Sequence, residues 1–135
     1  MATYPLTESY VDGDVLSAAD VNGTNEAVND LAFGVFNTQT GTSYTLVLTD
    51  VAKVVTLDNA AAITLSVPAN ATTAFPVGSQ IIIAQLGAGQ VTVSPAGGVT
   101  VNCYQGATKL SGQYAAATLI NVATDSWLMV GNTAT

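Results

Sequence analysis

From residue 43 onward, apolar and polar side chains alternate along the chain in short runs. Tyr44, Leu46 and Leu48 alternate with Thr and Val, and further apolar or alternating runs follow at 54–57, 63–67, 80–86, 91–94, 99–103, 114–122 and 127–130. An alternation of period two places one set of side chains on each face of a β-strand. Gly, Pro or Asp separates the runs about every 8–12 residues, which predicts about eight or nine short strands.

Strands of this length and spacing are typical of β-sandwiches and jelly rolls. The sequence therefore predicts a mainly β protein, with an antiparallel β-sandwich or jelly-roll-like domain over residues 38–135 and a short helix before it. Within that domain, Gly87, Ala88 and Gly89 predict a tight turn between two strands. Trp127 lies in an apolar run and is expected in the core.

Charge is scarce in this chain and unevenly distributed. Only 8% of the residues are charged, and the net charge is −7. Six of the nine acids lie in the first 30 residues, whereas Lys53 and Lys109 are the only basic residues. Two lysines cannot supply the phosphate contacts that nucleic acid or an anionic membrane surface requires, so neither is expected as a partner.

The residue types that enzymes use most are scarce as well. The chain has no histidine and a single cysteine, Cys103, which is expected to be a buried and unreactive thiol. Asp12 and Asp14 flank a glycine and are best explained as turn or docking residues, although a weak calcium site there stays an alternative. We therefore expect no enzymatic activity, no cofactor and no catalytic or metal-binding residues.

Residues 1–37 are predicted to form an acidic leader with a short helix. Ser17 is a natural N-cap, and apolar or semi-apolar residues then recur at steps of three and four. Such a seam must be buried, because a helix this short is marginal by itself. It could pack on the chain's own β domain or on the same helix of sister subunits. The seam consists of Val21, Thr24, Val28, Leu31 and Val35.

Part of this leader resembles a segment found in many virion proteins of tailed bacteriophages. The segment is DGDVLSAADVN at 12–22, in which Gly13, Leu16, Ala18 and Asn22 match the pattern. The body, through AITLSVPA at 62–69, the stretch 75–101 and the stretch 110–131, resembles small β domains of phage fibres and of accessory proteins of the head or tail. Together these pieces cover about half of the chain.

The resemblance implies a non-enzymatic structural protein that forms a homotrimer in the virion, assembled in the cytoplasm of the bacterial host. Its partners would be sister copies and the major capsid protein or other virion proteins. The chain lacks a long shaft and a large receptor-binding tip, so a capsid decoration protein or head fibre is preferred. Two alternatives stay open: a short tail fibre or baseplate component, and a carbohydrate-binding module that uses Tyr104, Tyr114 and Trp127.

Overall fold

The computed structural model describes residues 36–135, and these residues form eleven β-strands and two single-turn 3-10 helices. The leader motif and the predicted helix seam lie outside the described residues. The strands are β1 (Phe36–Gln39), β2 (Ser43–Thr45), β3 (Val54–Leu57), β4 (Ile63–Val67), β5 (Gln80–Gln85), β6 (Val91–Pro95), β7 (Thr100–Cys103), β8 (Lys109–Leu110), β9 (Ala116–Ala123), β10 (Ser126–Gly131) and β11 (Thr133–Ala134). The 3-10 helices are η1 (Leu48–Asp50) and η2 (Tyr104–Gly106).

The strands belong to two sheets. Sheet A has the order β1-β3-β5-β9-β10-β7, and sheet B has the order β11-β8-β6-β4-β2. A mainly β fold is therefore confirmed. β1 begins at Phe36, so the first strand starts inside the segment 1–37 that was assigned to the leader. The predicted domain boundary itself stays a prediction.

The first six strands wind alternately between the two sheets. β1, β3 and β5 pair in parallel in sheet A, and β2, β4 and β6 pair in parallel in sheet B. One strand of sheet A and the next strand of sheet B thus form one coil of the chain. The three coils are β1–β2, β3–β4 and β5–β6, and each pairs with the previous one. The chain then reverses, and β9 pairs antiparallel with both β5 and β10.

Antiparallel pairing throughout is therefore wrong as a prediction, because both sheets are mixed. Alternation reports which residues lie on one face of a strand, but it does not report the direction of the neighbouring strand. The connection from β3 to β5 contains β4, a strand of sheet B, and the connection from β4 to β6 contains β5, a strand of sheet A. They are long enough to return the chain in the same direction, as a parallel pair requires. The jelly-roll connectivity stays a prediction. The parallel pairing among the first six strands counts against it.

The core is one cluster of buried apolar side chains, to which alternate residues of both sheets contribute. In sheet A, Ile81, Ile83 and Leu119 are fully buried, and Leu65 and Val91 are fully buried in sheet B. Trp127 is only 2% exposed, and its ring meets that of Phe75 edge to face with centroids 5.2 Å apart. The prediction that Trp127 lies in the core is confirmed.

A buried polar network lies in the first coil, around the carboxylate of Asp50. Asp50 is 1% exposed, and its carboxylate accepts hydrogen bonds from Asn37 Nδ2 at 2.7 Å, from the Tyr44 hydroxyl at 2.7 Å and from Val47 N at 2.9 Å. Burial and the neighbouring Asp50 carboxylate raise the pKa of Tyr44 to about 12. Three donors compensate the buried carboxylate, which would otherwise be costly at this position.

The turn of Gly87 to Gly89 packs against the turn of the preceding coil. A Cβ added to Gly89 would clash with the backbone carbonyl of Ala61, and one added to Gly87 would lie 2.5 Å from the oxygen of Asn59. Asn59 in turn donates to Thr40 O at 2.8 Å, and its backbone oxygen accepts from Gly89 N at 2.8 Å. Asn59 thus ties three successive turns together, and the tight turn at 87–89 is confirmed.

Replacing Tyr44 with Phe is expected to destabilise the fold by about 1–2 kcal/mol at neutral pH, because the Asp50 carboxylate loses a donor. In the wild type, the raised pKa of Tyr44 contributes to the free energy of unfolding. This contribution is fully present below pH 10.0 and is lost as the pH rises towards 12. Phe cannot ionise, so the variant should lose less stability over this window. Urea unfolding across the pH range measures both effects. The exposed Tyr104→Phe substitution is the control, and equal curves for the two variants would contradict the account.

Gly89→Ala is expected to cost about 1–3 kcal/mol or more, because the added methyl group forces the two turns apart. Gly97→Ala is the matched control, since a Cβ at Gly97 meets nothing within 4 Å. Thermal unfolding of both variants measures the difference. Similar melting temperatures for the two would show that the stacked turns do not constrain the fold.

Candidate interaction surface

The two sheets present very different outer faces. On sheet B, the outward positions of β2, β4 and β6 carry only hydroxyl side chains: Ser43, Thr45, Thr64, Ser66, Thr92 and Ser94. Short hydroxyl side chains hydrogen-bond readily to water. The outer face of sheet B therefore suits contact with solvent without many charges.

The outer face of sheet A is apolar instead. Strand register aligns Phe36, Val54, Ile82, Thr118 and Val130 in one row across five strands. A second row runs through Gln80, Ile120 and Leu128. We call the outward residues of these two rows, together with Thr38, Thr56 and Ala84, the apolar face.

Large apolar side chains on this face are exposed to an unusual degree. Phe36 is 69% exposed, Val130 45%, Ile82 42% and Leu128 37%. None of the residues of the apolar face carries a charge. Contiguous apolar surface of this kind marks an interaction site more often than a solvent-facing one.

A shallow groove of about 350 Å³ crosses one end of the apolar face. It is lined by Phe36, Thr38, Val54, Thr56, Ala84 and Leu86. The only polar side chains in this lining are the two threonines, and their hydroxyl groups lie 3.2 Å apart in a hydrogen bond to each other. This hydrogen bond uses the hydroxyl donor of Thr56, which reduces the cost of removing water from the groove.

A second groove, of about 680 Å³, lies where β7 and β10 of sheet A approach β11 of sheet B. We call it the Tyr104 groove. Its lining combines apolar and polar residues: Asn102, Cys103, Tyr104, Gln105, Leu128, Met129, Val130, Gly131 and Thr133. Gln105 has a left-handed backbone with φ 57° in the turn that follows Tyr104.

Cys103 contributes a half-buried thiol to this groove. Burial raises the pKa of the thiol, which lowers the fraction of reactive thiolate at neutral pH. The sulfur lies 4.0 Å from the carbonyl oxygen of Val101. This environment agrees with the expected unreactive cysteine, although the side chain is only partly buried.

The aromatic platform considered from the sequence cannot form as a set of three, because Trp127 is buried. Tyr104 and Tyr114 are 83% and 77% exposed and remain accessible. Within residues 36–135, no three side chains of the metal-ligating types gather into a cluster. In the same part of the chain, no helix is long and apolar enough to cross a membrane.

The residues that the sequence singled out as docking sites lie outside the described residues. The roles of the seam and of the leader motif therefore stay predictions. The seam consists of Val21, Thr24, Val28, Leu31 and Val35, and the motif of Gly13, Leu16, Ala18 and Asn22. The apolar face was not among the predicted sites. The available signal was β5, where Ile81, Ile82 and Ile83 follow one another, so both faces of one strand carry large apolar side chains.

In comparisons with known proteins, no protein family and no curated protein matches the chain.

Proposed function

We propose that this protein is a non-enzymatic structural component of a tailed-phage virion, which assembles as a homotrimer through the apolar face. The observation that carries the self-association is the uncharged, exposed apolar surface across sheet A. The placement in a virion is supported by the resemblance of residues 12–22 and of the β body to phage virion proteins. The two sheets act in this proposal as the layers of a β-sandwich, supported by the core residues that both contribute.

Sister copies are the preferred occupants of the apolar face because of charge. Each chain carries a net charge of −7, so copies must meet through a surface that brings few like charges together. The apolar face contributes no charge to such a contact. Fully burying one large apolar side chain contributes about 1.5–3 kcal/mol, so a few from each copy can offset the entropy of association.

A position on the capsid, as a decoration protein or head fibre, is preferred over the tail. The support is that the β body forms one compact unit of short strands. A short tail fibre or baseplate component is the alternative. The acidic leader would contact the capsid or another virion protein through a complementary surface.

Ile82→Lys is expected to convert the trimer to monomers, because it places a lysine from each copy in the centre of the apolar face. Thr64→Lys adds the same charge to the outer face of sheet B and should leave the trimer intact. Sedimentation velocity at micromolar concentration gives the mass of each species. A monomeric wild type, or an Ile82→Lys variant with the wild-type mass, would contradict assembly through this face.

The predicted seam is tested separately by Leu31→Asp, which should weaken the trimer if the seam packs between subunits. Unchanged association would remove the seam from the interface while leaving the apolar face in place. Thr64→Asp is a suitable control, because it adds the same charge on the outer face of sheet B, which is not part of the apolar face.

Location is tested by immunogold labelling of intact phage particles released from cells that produce the protein. Gold over the capsid is the expected result. Gold confined to tails would replace the capsid proposal with the tail alternative, and no gold on particles would contradict a virion role.

A further inference from the structure

The Tyr104 groove has the composition of a small-ligand site, and it lies at the β7 edge of sheet A. Its volume of about 680 Å³ falls within the range of pockets that hold small molecules. Leu128 and Val130 form an apolar part of its lining, and Asn102, Gln105 and Thr133 add polar side chains. An occupant must therefore combine apolar surface with hydrogen-bonding groups.

The polar side chains of the groove are available to a ligand. Within the described residues, no hydrogen bond engages the side chains of Asn102, Gln105 or Thr133. Two amides and a hydroxyl offer both donors and acceptors. No residue that lines the groove is charged, so the site offers nothing that would specifically bind a phosphate, a carboxylate or a cation.

Tyr104 gives the groove an aromatic wall. The residue is 83% exposed, although burying a tyrosine ring is normally favourable. The turn that carries it is closed by Ala107 N, which donates to Tyr104 O at 3.2 Å. The left-handed Gln105 follows directly, with φ 57°, and strained backbone of this kind is a reason to look for function.

We propose that the Tyr104 groove binds a neutral saccharide, with one sugar ring stacked on Tyr104 and its hydroxyl groups hydrogen-bonded to Asn102, Gln105 and Thr133. A sugar ring has apolar C–H faces and a rim of hydroxyl groups, which matches an aromatic wall beside amide side chains. The uncharged lining selects neutral sugars. The groove shares Leu128 and Val130 with the apolar face, so saccharide binding requires that the proposed trimer leaves the β7 end of that face open. It does not depend on the place of the protein in a virion.

The test is saturation-transfer NMR on the full-length protein with maltose, lactose and N,N′-diacetylchitobiose as probes. At least one probe should receive saturation, and titration should show that Tyr104→Ala weakens its binding by about fivefold or more. Asn102→Ala should also weaken it. Tyr114→Ala is the matched control, because Tyr114 is an exposed tyrosine outside the groove, and its affinity should equal that of the wild type.

Three results would overturn the proposal: no transfer to any of the three neutral probes, equal affinity of Tyr104→Ala and the wild type, or an equal loss for Tyr104→Ala and Tyr114→Ala. Thermal unfolding of each variant shows that the fold is retained, as expected for substitutions of exposed side chains. Sedimentation of the same samples separates this outcome from a failure of trimer formation.

Discussion

The hydrogen-bonded register between successive coils determines which side chains lie in the core and which lie outside. β3 pairs with β5 so that Val55 opposes Ile83 and Val54 opposes Ile82. A slip of one residue would exchange the buried and exposed sets of a whole strand. The register is held in place at the turns, where Asn59 links three coils, and by the buried Gln85, whose side chain accepts from Val91 N at 3.1 Å and donates to Gly87 O at 3.1 Å.

This register produces the division of surface that the functional account uses. Sheet B turns hydroxyl side chains outward, and sheet A turns apolar side chains outward. Neither outward pattern relies on charge, and in the proposed assembly sister copies cover the apolar one. Asp50, by contrast, is a charged residue in the interior. Three hydrogen-bond donors of the first coil compensate its carboxylate.

Much of the fold could be predicted from the sequence, and the limit is physical. The strands at 54–57 and 63–67 and the tight turn at 87–89 follow from alternation and glycine, which act over a few residues. The parallel pairing of β1 with β3 depends on contacts between residues far apart in sequence, and alternation does not encode it. β1 was missed because its sequence, FNTQ, contains a single apolar residue and so shows no alternation of apolar and polar side chains.

The candidate surface was predictable only in part. The scarcity of charge in the predicted strands favoured a covered surface, but it did not indicate which face would be covered. That choice required the register, which brings Phe36, Ile82 and Val130 into one row although they are far apart in the chain. The Tyr104 groove could not be predicted either, because Thr133 reaches it from the other sheet.

The central claim, that the apolar face is covered in the assembled protein, is tested most directly by hydroxyl-radical footprinting of the native wild type. Phe36 and Val77 are similarly exposed in the isolated chain, at 69% and 65%, but only Phe36 lies on the apolar face. The account predicts that Phe36 is protected from oxidation in the native protein and becomes reactive in the Ile82→Lys variant, while the oxidation of Val77 is the same in both. Equal oxidation of Phe36 in the two proteins would contradict it.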